Sequence, residues 1–137
     1  MIDQNEELMR FVRGECDPAA FPHREHLRMA FEMLRRHSFA ETVLHYSRAL
    51  RSMAARSGRP EAYHETITVA FLSLIGERMS KAPASDFAQF ESENSDLGEK
   101  GLLACWYRPE RLASDAARRT FVLPEPQYQT TLPSAPR

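Results

Sequence analysis

The chain has 137 residues and a formal net charge of −1, from 18 Lys and Arg against 19 Asp and Glu. That length suits one domain with a real core, and the charge balance gives no reason to expect a nucleic acid or an anionic membrane surface as partner. Two cysteines, Cys16 and Cys105, make no CxxC pair and no disulfide framework, which predicts free thiols in a reduced compartment. The acidic, polar opening segment is unlike a secretory leader, and no apolar run is long enough to span a bilayer, so the expected location is cytoplasmic.

The 3.6-residue period recurs along the chain and no alternating run forces a strand, which predicts an all-α fold. A first helix over about residues 6–13 carries Leu8, Met9, Phe11 and Val12, and Gly14 can end it. A second opens near Pro22 and runs to about residue 36, with Leu27, Ala30, Phe31 and Leu34 as its buried stripe. Ser38-Phe39-Ala40-Glu41 has the form of a capping box and starts a third helix that ends before Gly58. Its apolar face is Val43, Leu44, Tyr46, Leu50, Met53 and Ala54. The fourth, over about residues 61–81, is the most apolar. Its expected stripe is Ile67, Ala70, Phe71, Leu74 and Ile75, and its expected place is the centre of the fold.

After it the signal weakens. Ser85 is a candidate cap for a short helix through Phe90, residues 92–101 read as loop, and residues 102–107 as an apolar segment that packs on the bundle. Pro109 and Ser114 are placed to start two further helical turns. The expected organisation is one compact bundle of four principal helices over residues 1–123, with an extended, partly mobile tail over 124–137, rich in proline.

Three histidines fall on the inward stripes near helix starts. His23 lies four residues before Leu27, His26 four before Ala30, and His64 three before Ile67. Short connections make the second and fourth helices parallel, so the three rings are expected to meet at one end of the bundle. Clustered imidazoles suit a divalent metal, zinc or iron, with one coordination position left for water or substrate. Cys16, Asp17, Tyr63 and Thr68 are the expected pocket or supporting residues. The plainer reading is that buried histidines are satisfied by nearby carbonyls and serve structure. There is no GxGxxG, Walker A, HExxH or GxSxG sequence, so nucleotide-dependent and serine-hydrolase chemistry have no support.

The segments Phe21-Pro22-His23-Arg24-Glu25-His26-Leu27 and Tyr63-His64-Glu65-Thr66-Ile67-Thr68, with Tyr107-Arg108-Pro109-Glu110-Arg111-Leu112, resemble those of a group of small bacterial all-helical proteins. More distantly, the chain is similar to helical bundles of the DinB and YfiT type. That resemblance implies a three-histidine metal site in a bundle, though an HxxH pair comes first here and a lone histidine later. The leading expectation is a metal-dependent enzyme acting on a small molecule through His23, His26 and His64. The alternative is a non-enzymatic module that binds a small ligand or regulates, with the histidines as a structural cluster. An exposed apolar helix face would allow a homodimer.

Overall fold

The computed structural model describes residues 4–126, and every regular element within them is helical. Helix α1 (Gln4–Val12) buries Leu8 and Phe11 and leaves Met9 half exposed. Gly14 follows at φ +71, a left-handed turn that glycine adopts without penalty. Its carbonyl accepts from Arg56, which ties the end of α1 to the end of the third helix.

Helix α2 (His23–Arg36) starts directly after Pro22 and buries Leu27, Met29, Ala30, Phe31 and Met33. Glu32 is also buried, and its carboxylate accepts from Arg36 at 2.7 Å, so its charge is compensated. The capping box at the start of α3 (Phe39–Arg56) forms as the sequence predicts. The Glu41 N–H donates to Ser38 Oγ at 3.1 Å, and the Ser38 N–H donates to Glu41 Oε1 at 3.1 Å. Such a cap contributes about 1 kcal/mol. Tyr46, Ala49 and Met53 face inward, whereas Leu44 is 45% exposed rather than part of the buried face.

The fourth segment departs from expectation in two ways. Residues Pro60–Ala62 form a separate 3₁₀ turn, Tyr63 and His64 are extended, and α4 (Glu65–Lys81) begins only after them. The buried residues of α4 are Thr66, Thr68, Leu72 and Ile75. The expected stripe is only partly core: Ile75 is buried, Ala70, Phe71 and Leu74 are half-buried, and Ile67 is 41% exposed. Several neighbours surround this helix: α2, α3, the 3₁₀ turn Leu102–Cys105 and the last helix all pack on it. An element enclosed in this way has no single core face for periodicity to reveal.

Helix α5 (Phe87–Glu93) is capped by Asp86, one residue later than the expected Ser85, through the Gln89 N–H at 2.9 Å. Ser85 instead donates to the Gln89 side chain. A 3₁₀ turn (Ser95–Gly98) buries Leu97, and the turn Leu102–Cys105 buries Leu103. Pro109 and Ser114 start α6 (Pro109–Leu112) and α7 (Asp115–Arg119), as expected. Residues 121–126 have no regular structure, and the rest of the expected tail lies outside the described residues. No helix among the described residues is long and apolar enough to cross a membrane.

Polar contacts from buried side chains hold the C-terminal segment on α4. Thr66 Oγ1 donates to the Thr120 carbonyl at 2.7 Å and accepts from the Val122 N–H at 3.0 Å. Tyr107 Oη donates to the Val122 carbonyl at 2.8 Å. Thr66→Val keeps the shape of the side chain but leaves both backbone groups without this partner. It is expected to cost about 2 kcal/mol in urea unfolding, and to raise protease sensitivity in residues 119–126 first. A cost under about 0.5 kcal/mol would show that this clamp does not hold the segment.

Candidate functional site

An apolar cavity of about 440 Å³ lies between the starts of α2 and α4, with α3 as a wall and residues 99–112 as a roof. That size suits a small organic ligand. Leu50, Ile67, Phe71, Leu102, Leu103 and Leu112 belong to its apolar lining, His23, His26, Tyr46, Thr68 and Tyr107 bring polar groups, and Glu99 and Lys100 stand at its edge.

Most of those polar groups already have partners. Tyr46 is buried, and its hydroxyl donates to the His26 carbonyl at 3.0 Å; burial pushes its pKa up, so it stays a phenol. Thr68 Oγ1 donates to the His64 carbonyl at 2.8 Å, a bond to the carbonyl four residues back that turns the hydroxyl onto its own helix. His23 Nε2–H donates to the Leu97 carbonyl at 3.0 Å, and the ring packs on Phe71 at 5.2 Å between centroids. This bond fastens the turn just before the roof to the first residue of α2.

His26 differs from these. Its ring packs on Phe21 at 4.9 Å and makes no hydrogen bond among the described residues. No side-chain polar atom among them is fully buried without a partner, so the unbonded His26 nitrogens keep some exposure, and the residue lines the cavity. Burial first, and the neighbouring His23 second, lower its pKa to about 4. The imidazole is therefore neutral near pH 7 and offers one donor and one acceptor.

His64 does not join this pair as expected. It is the N-cap of α4: Nδ1 accepts from the Ile67 N–H at 3.1 Å, and Nε2–H donates to the Leu112 carbonyl at 2.7 Å. Both nitrogens are occupied, so the ring has no lone pair left for a metal. The His23 ring meets Phe71, seven residues beyond His64, which corresponds to about 10 Å of helix rise. The helix starts do converge, but with an axial offset created by the Pro60–Ala62 turn. Among the described residues, no three His, Cys, Asp or Glu side chains are grouped to hold a metal ion. The donor set expected for zinc or iron therefore does not fit the geometry.

The expected supporting residues divide. Thr68 borders the cavity. Tyr63 faces a neighbouring one, where its hydroxyl donates to Glu65 at 2.6 Å and Arg51 lies 4.8 Å over its ring. Cys16 and Asp17 lie in a separate crevice with Glu7, Glu25 and Arg28. Asp17 caps the Pro18–Ala20 turn through the Ala19 N–H, and burial pushes the Cys16 thiol up, which makes it a weak nucleophile. Sequence reasoning set residues 102–107 against the bundle and a helical turn at Pro109, but it did not show that this segment roofs a cavity. A local signal of the roof is Gly101, at φ +78, which lets the chain turn sharply into the buried Leu103.

No protein-family model matches this chain, and neither the curated proteins nor the solved structures contain a significant match to it.

Proposed function

We propose that the protein is a binding module for a small, largely apolar molecule, held in the cavity under the 99–112 roof with His26 as its polar contact. The observation that carries this reading is the His26 ring: neutral, without a hydrogen-bond partner among the described residues, and lining an apolar cavity of about 440 Å³. Buried polar groups are normally paired, and one that lines a cavity is satisfied by whatever fills it. Catalysis is not part of the reading, because His23, Tyr46 and Thr68 each donate to a backbone carbonyl rather than into the cavity. A metal-dependent enzyme would require His64 to free the Nδ1 lone pair that caps α4, and we do not adopt that reading.

The test is binding of 1-octanol against 1-chlorooctane, which has the same chain without the hydroxyl. Wild type is expected to prefer the alcohol roughly tenfold. His26→Leu should lose that preference and keep its affinity for the chloride. Equal losses for both ligands would remove His26 from the contact. Elemental analysis of untagged protein adds a second check. Stoichiometric zinc or iron that disappears in His64→Ala would overturn the proposal in favour of metal chemistry.

A further inference from the structure

A second cavity of about 350 Å³ adjoins the first. His26, Leu50, Ile67 and Thr68 border both. Beyond them the second chamber is lined by residues that include Phe21, Met53, Ala54, Tyr63 and His64. The partition is thus a single layer of side chains. Ile67, in the first turn of α4, is 41% exposed.

The electrical character of the two chambers is also the same. The only lining residues of fixed charge are Glu99 and Lys100, both exposed in the roof segment at the edge of the first chamber. Among the described residues, no other charged side chain lines either one. A carboxylate or ammonium carried inside would lose its hydration with no counter-ion to replace it. A neutral group meets the His26 ring at the partition, where a hydroxyl can pair with either nitrogen.

From this arrangement we infer that the two chambers form one elongated site, and that its ligand class is an uncharged amphiphile: an alkyl chain threaded past His26, carrying a hydroxyl or similar neutral group. The inference rests on the binding-module reading and specifies the substance bound.

Displacement of the neutral dye Nile red by butanol, hexanol, octanol and decanol tests it. In wild type each added methylene should tighten binding roughly fourfold through decanol. Ala54 lines the second chamber alone. Ala54→Trp should therefore leave butanol and hexanol unchanged and stop the gain at a shorter chain, with Ala54→Leu as a milder version should the larger ring disturb folding. If both variants retain the wild-type gain through decanol, or if wild type itself stops gaining at hexanol, one chamber suffices and the two-chamber inference is overturned while the binding reading stands. Binding of decanoate or decylammonium as tight as that of decanol would overturn the assignment of an uncharged ligand. No binding by any of these alcohols would sink the underlying binding reading as well.

Discussion

Acidification from pH 7 to pH 4 is expected to remove on the order of 3 kcal/mol of stability through His26 alone. The folded pKa of this ring, about 4, lies below its ordinary value of 6.5. Between those two values the unfolded chain binds the extra proton and the folded chain resists it. The contribution is therefore complete above about pH 6.5 and is lost as the pH falls toward 4. Carboxylates also lose favourable contacts in acid: Glu25 is held below the usual range by Arg28, and Asp96 by Arg78. Comparison with His26→Leu separates the contributions, because the variant retains those carboxylates and lacks the ring. Urea unfolding of both proteins at pH 7 and near pH 4 should show wild type losing more than the variant by that margin. A difference between the two proteins that stays constant across the range would mean that the ring is freely hydrated, and the functional reading would lose its basis.

Gly14→Ala is expected to cost about 3 kcal/mol, while Gly58→Ala should cost only about 1. Both glycines hold left-handed backbone, at φ +71 and φ +78. A methyl group on Gly58 would meet open space. On Gly14 it would fall 2.5 Å from Ser52 Oγ and 2.6 Å from Ser52 Cβ. The hydroxyl can rotate away, but the Cβ is fixed to α3, so α1 would have to lift. That movement would also strain the Arg56 contact to the Gly14 carbonyl and the packing of Phe11 against Tyr46. Thermal or urea unfolding of the two variants measures the gap directly. Equal costs would show that α1 is not seated on α3.

Local chemistry explains which parts of this structure were legible in the sequence. The capping box at Ser38 and Glu41, the glycine stops at 14 and 58, and the proline start at 109 each act within a few residues, and all appear where the residues placed them. The inward direction of His23 and His26 followed from helical phase, and both do border the cavity. His64 was misplaced because phase was extended through a segment that is not helical. Pro60 opens a 3₁₀ turn of its own, so the histidine precedes α4 and its ring turns back to cap it. The cover of the cavity was less legible for another reason: residues 95–105, which lead into it, are short turns with no period, and Leu97 and Leu103 drop into the bundle from them.

The cavity walls come from α2, α3 and α4, whereas its cover comes from residues 99–112. During synthesis the walls leave the ribosome first, so a nascent chain presents an uncovered apolar trough until its final third arrives. On the binding reading, ligand capture and completion of the fold would then be one event. A molecule already lying in the trough would draw the cover down over itself, and the last bonds to close would be those from His23 to Leu97 and from His64 to Leu112.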